Sequence, residues 1–214
     1  MLERKDGVDF NLAAFSWLLN KHWNKPVLNE QFKNFVIDAI LQLPFWLNET
    51  GDLKDMQYWS ENHQIGWKAG KYLIGQAFAN NPELQGLIFQ ASNSTGAEAK
   101  LLGKAHVQEW LDYRSRFGFS EFNSDTYAPI AFKAIASIVG LSEDPEVRNL
   151  ASMVANLQIF DHILGTKGKR CVYVNNVFFK IQFYVSGLQL LGEELTAKAR
   201  LELRNTISCI SSKV

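Results

Sequence analysis

The sequence predicts an all-α protein built from antiparallel helical hairpins. Apolar residues recur at three- and four-residue spacing in successive stretches, and residues that start and stop helices bracket those stretches. No low-complexity tract or fixed-period repeat interrupts the alternation of helix, loop and helix. The 214 residues are 47% hydrophobic and 13% aromatic, enough for one domain with a sizeable core, which argues against a disordered chain or a coiled coil.

The first helix is expected from Asp9 to about Trp23, where Phe10, Ala13, Ala14, Trp17 and Leu18 form one apolar face. Asn29 caps a second through Phe32, Val36, Ile37, Ile40 and Leu41, which stops near Pro44 because proline lacks an amide donor. These two are expected to be antiparallel neighbours. A polar loop follows, and Ser60 then opens a long helix running toward Asn80 and ending before Pro82. After an Asn-, Ser-, Thr- and Gly-rich loop, a helix runs through Leu101, Leu102, Ala105, Trp110 and Leu111 to Gly118. Asn123 or Ser124 caps the next, through Ile130 to Ile138, and Asp144-Pro145 opens a sixth that ends at Gly165.

Residues 1–165 therefore read as one helical domain. The remainder, 166–214, reads as a C-terminal segment packed on it: Cys171 to Tyr184 suits either a short strand or a buried helix, and Glu193 to Ile210 suits a helix.

Twenty-two basic residues balance 22 acidic ones, so no global field draws the chain to nucleic acid or to a membrane surface. Apolar runs are broken well before the roughly 18–20 residues that a membrane span needs. The charged start, Met1-Leu2-Glu3-Arg4-Lys5-Asp6, leads into no apolar signal segment, and a cytoplasmic location is the default expectation. Cys171 and Cys209 stand far apart without a metal-binding spacing, so no metal, disulfide or other cofactor is expected.

Two constellations carry chemistry. In Trp59-Ser60-Glu61-Asn62-His63-Gln64, a cap at Ser60 places His63 in the first turn, where the positive end of the helix dipole disfavours imidazolium and keeps the ring neutral, as a general base requires. Asn62 can donate to a carboxylate. The same residues serve equally as capping and packing groups, and Gly66 and Gly70 one turn apart suit the close approach of a neighbouring backbone.

The second runs from Trp110 to Ser124, with Arg114 and Arg116 in the last helical turn and aromatic and polar residues alternating after it. Aromatic faces stack on sugar rings while amides and carboxylates bind hydroxyls, although an interior aromatic cluster explains the pattern as well.

Taken together, Ser60-Glu61-Asn62-His63-Gln64, Tyr72-Leu73-Ile74-Gly75-Gln76, Trp110-Leu111-Asp112-Tyr113-Arg114 and Gly118-Phe119-Ser120-Glu121-Phe122-Asn123-Ser124 with Tyr127 resemble the helical-toroid proteins related to chondroitin AC and alginate lyases. Among these they look most like a group of large, mostly uncharacterised proteins sharing the toroid. The similarity spans about Asp55 to Gly165.

The resemblance implies part of an (α/α) toroid around a cleft, and a polysaccharide lyase that cleaves uronic-acid polymers by β-elimination. By position, Asn62 would neutralise the uronate carboxylate, His63 would be the base, Tyr127 would supply or share the proton, and Arg114 or Arg116 would bind acid groups. Glu61, Trp67, Arg116, Phe119, Glu121 and Asn123 are the expected substrate-binding residues. The expected partner is an acidic polysaccharide or other glycan. Lyase toroids are longer than this chain, so an incomplete ring with open apolar faces, prone to self-association, is also expected.

Two alternatives stand beside this reading. One is a glycan- or protein-binding helical scaffold without catalysis, using the loop from Phe117 to Phe122. The other is a glycoside hydrolase with Glu61 and Glu121 as its carboxylate pair.

Overall fold

The computed structural model describes residues 6–50, 55–121, 124 and 126–165. The C-terminal segment 166–214 and the candidate site residue Asn123 lie outside these residues. The described part is all-α: six α-helices and one short two-stranded sheet.

The N-terminal helical run begins as a 3-10 turn over Val8–Asn11, continues as α1, Leu12–Trp17, and widens into a π-helical turn over Leu18–His22. Helix α2, Glu30–Leu41, starts where Asn29 accepts the Phe32 N–H at 2.8 Å. Helix α3 spans Glu61–Asn80 and α4 spans Gly96–Phe117. The start of α4 is a reciprocal cap: Thr95 Oγ1 accepts the Glu98 N–H while the Glu98 carboxylate accepts the Thr95 N–H. Gly118 ends α4 at φ 71, a conformation that favours glycine. Helix α5 is Tyr127–Leu141, and α6 is Pro145–Gly165, opened by Asp144, whose Oδ1 accepts the Glu146 and Val147 N–H groups. Between α3 and α4, β1 (Ile88–Phe89) pairs antiparallel with β2 (Ser94–Thr95), a hairpin too short for periodicity to reveal.

Helix α3 is the centre of the molecule. One face joins Leu12, Trp23, Ile40, Tyr58 and Phe89 through Trp67, Ile74 and Phe78, and the other joins Trp110, Phe132, Ile135 and Val154 through Ile65, Tyr72 and Leu73. A helix covered on nearly all sides must satisfy its polar groups internally. Lys71 pairs with Glu49, the Tyr72 hydroxyl shares a hydrogen bond with Ser142, and Gln76 binds Asn20, the Leu141 carbonyl and the Glu143 N–H.

Close approach explains the glycines along this helix. A Cβ at Gly103 of α4 would sit 2.5 Å from the Tyr72 nitrogen, and one at Gly75 of α3 2.5 Å from the Lys100 nitrogen, so glycine lets these two helix backbones touch. At Gly66 and Gly70 the neighbours are side chains rather than the expected backbone. A Cβ there would meet Asp9 Oδ2 at 2.6 Å and Leu12 Cδ1 at 2.5 Å. The N-terminal run is thereby seated against α3 and α5, and the predicted hairpin of the first two helices gives way to that packing.

Candidate functional site

Two sequence blocks some 60 residues apart meet where α3 begins and α4 ends. Ser60 takes the N-cap position of α3, but its hydroxyl caps no helix amide and instead accepts from Asn62 Nδ2 at 3.1 Å. The cap comes from across the fold. Glu121 Oε2 accepts the Asn62 N–H at 3.1 Å, and its two oxygens also take Asn62 Nδ2 at 2.9 and 3.1 Å. An anion at a helix N-terminus satisfies orphan donors and the dipole together.

Glu61 answers in the opposite direction. Its Oε2 accepts the Ser120 hydroxyl at 2.8 Å and the Glu121 N–H at 2.7 Å, while Oε1 lies 2.9 Å from Arg114 Nε. That last contact is charge against charge without a well-aligned hydrogen bond. The Arg114 guanidinium also lies 4.8 Å from the Tyr113 ring centre and 5.4 Å from that of Trp110. Glu61, Asn62, Arg114, Ser120 and Glu121 therefore form one network, buried around Asn62, which is 1% exposed.

His63 belongs to a neighbouring pair. Its Nδ1 lies 2.9 Å from Oδ1 of Asp9, whose side chain is 1% exposed, and its Nε2 lies 3.5 Å from the exposed Asp6. Phe10 stacks on the imidazole with ring centres 4.8 Å apart. Burial alone would lower the His63 pKa, but the hydrogen bond and charge of Asp9, with Asp6 and Glu121 beside it, outweigh burial and hold it above its ordinary value. The expectation that the helix dipole keeps this ring neutral is thus corrected by acidic residues that the local sequence does not contain. Burial in turn raises the Asp9 carboxyl, with His63 holding it back.

The other described site candidates make no hydrogen bond or ion pair with these two groups. Tyr127 opens α5 and is 47% exposed, and its backbone N–H donates to Ser124 Oγ. Arg116 is exposed and pairs with Asp112 one turn earlier. Trp67 is fully buried, donates from Nε1 to the Gln57 carbonyl and stacks on Tyr58. Phe119 is half-buried, edge-on to Trp110 at 6.2 Å.

Sequence reasoning missed Asp9. The available signal was an acidic residue on the helical stripe shared with Leu12, Ser16 and Leu19, a stripe that is buried. It also missed an open groove of about 490 Å³ whose wall includes Trp17, Leu18, His22, Val27, Leu28 and Lys133. Among the described residues, none of the predicted site residues lines that groove.

Among the described residues no cluster of three or more His, Cys, Asp or Glu side chains is arranged to hold a metal ion, and no helix is long and apolar enough to cross a membrane. The geometry defines an all-α protein with a buried charged hub and an adjoining histidine–carboxylate pair. No family model, curated protein or solved structure matches the chain significantly.

Proposed function

We propose that this chain is a carbohydrate-directed protein of the helical-toroid class that acts on uronic-acid polymers as a polysaccharide lyase. One observation supports the reading above the others: Glu61, Asn62, Arg114 and Glu121, drawn from two distant blocks that both belong to the lyase resemblance, converge on the first turn of α3, next to His63.

In the proposed reaction, His63 Nε2 takes the proton from the carbon beside the uronate carboxylate. The electrons of that C–H bond form a carbon–carbon double bond, the bond to the glycosidic oxygen breaks, and Tyr127 gives that oxygen a proton. Donors that neutralise the carboxylate supply most of the stabilisation, because charge develops there in the transition state. For Asn62 and Arg114 to do this they must exchange Glu121 and Glu61 for substrate.

That exchange motivates the second reading, a glycan-binding scaffold without turnover: both donors already hold carboxylates of the chain itself. Incubation with alginate, chondroitin and hyaluronan separates the two. Ultraviolet absorbance from unsaturated uronate ends supports the lyase; saturable binding of a polymer with no such product supports the scaffold.

A further inference from the structure

We propose that Asp9 is the positioning residue for His63, fixing the imidazole with its proton on Nδ1 so that Nε2 is the atom that accepts a proton. The proposal rests on the lyase reading above and adds to it a residue from the other end of the domain.

Three features of the packing carry it. Asp9 comes from the 3-10 turn that precedes α1 and reaches His63 across 54 residues of sequence at 2.9 Å. Its carboxylate is enclosed, and the absence of a side chain at Gly66 makes the room: a Cβ there would stand 2.6 Å from Asp9 Oδ2. Phe10, the next residue, stacks on the imidazole and fixes the ring plane. With Asp9 ionised, its carboxylate can only accept, so the nitrogen facing it carries the hydrogen and the basic lone pair is on the other nitrogen.

That second nitrogen faces Asp6, an exposed side chain 3.5 Å away and the only described ion-pairing neighbour on that side. A substrate can displace an exposed carboxylate far more readily than a buried one, because water takes over its solvation. The groups that bear on His63 are therefore Asp9 from the N-terminal run, Asp6 just before it, and Glu121 from the loop after α4. From α5, Lys133 turns its ammonium to the Phe10 carbonyl at 2.8 Å.

The test compares wild type, Asp9→Asn and Gly66→Ala by nitrogen NMR of the His63 ring across pH, by circular dichroism, and by turnover of alginate, chondroitin and hyaluronan. Asp9→Asn keeps the shape and removes the charge. Gly66→Ala leaves Asp9 and His63 in the sequence but forces the carboxylate aside, and it serves if the first variant does not fold. Wild type is expected to show Nδ1–H with a raised pKa. In both variants the tautomer preference is lost, the pKa drops, and the acidic limb of the rate profile moves to lower pH. In these variants kcat falls about 10²-fold with little change in KM. An active wild type whose ring signals and rate profile are unchanged by either substitution overturns the positioning role and leaves the lyase reading intact. A folded wild type that turns over none of the polymers overturns both.

Discussion

Glu61 and Glu121 hold each other's backbone: the Glu61 carboxylate accepts the Glu121 N–H at 2.7 Å, and the Glu121 carboxylate accepts the N–H of Asn62, the residue after Glu61, at 3.1 Å. The start of α3 and the loop after α4 are thereby fixed as one unit. The two substitutions should differ in cost. Glu61→Ala strips Arg114 of its buried partner and is expected to destabilise by about 3–5 kcal/mol. Glu121→Gln keeps an acceptor for the Asn62 N–H and should cost about 1–2 kcal/mol. Urea unfolding of both variants measures the difference, and equal costs would contradict the unequal roles.

The Lys71–Glu49 pair makes a second prediction. Both side chains are 5% exposed, so removing the cation alone leaves a carboxylate stranded in the interior. Lys71→Met should cost about 3–5 kcal/mol, and adding Glu49→Gln should recover part of it. Recovery is partial because the Glu49→Gln amide oxygen can still accept the Phe45 N–H, which Glu49 accepts at 2.7 Å, while its buried NH2 group faces an apolar side chain in place of the Lys71 ammonium. A double-mutant cycle on thermal or urea unfolding checks the coupling.

Glycine substitutions test the approach of α3 to α4. Gly103→Ala places a Cβ 2.5 Å from backbone that cannot step aside, and is expected to destabilise by about 1–3 kcal/mol. Gly86 has nothing within 4 Å of such a Cβ, so Gly86→Ala should be neutral or stabilise by up to about 1 kcal/mol. Opposite signs for the two, read as shifts in unfolding midpoint, are the expected result.

What the sequence made legible follows from the range of the forces involved. Asn29, Asp144 and Gly118 mark their helix ends because capping acts over two to four residues. Ser60 stands at the N-cap position that the sequence predicts, yet its helix is capped by a carboxylate from Glu121, which no local pattern encodes. His63 was legible as a candidate base, whereas its partner Asp9 was not, because 54 residues separate them and the packing of the N-terminal segment on α3, at Gly66 and Gly70, brings them together. The same distance effect turned the expected charge state around: the dipole is a feature of α3 alone, while Asp9, Asp6 and Glu121 arrive from other elements.

That pairing gives stability a pH dependence. The folded pKa of His63 is raised above its ordinary 6.5, so the folded state favours the proton. Its contribution is complete below 6.5 and is lost as pH rises through the folded value. Unfolding midpoints of wild type and His63→Gln should therefore differ most in mildly acidic buffer and converge in alkaline buffer. A gap that widens with pH would reverse the sign and contradict the assignment.

The most direct test of the central claim is ultraviolet absorbance of unsaturated uronate released from alginate, chondroitin and hyaluronan by wild type and by His63→Ala, with circular dichroism showing that both are folded. Wild type is expected to give a rise on at least one polymer and His63→Ala none. Equal product from the two proteins, or none from a folded wild type on any of the three, would contradict that claim.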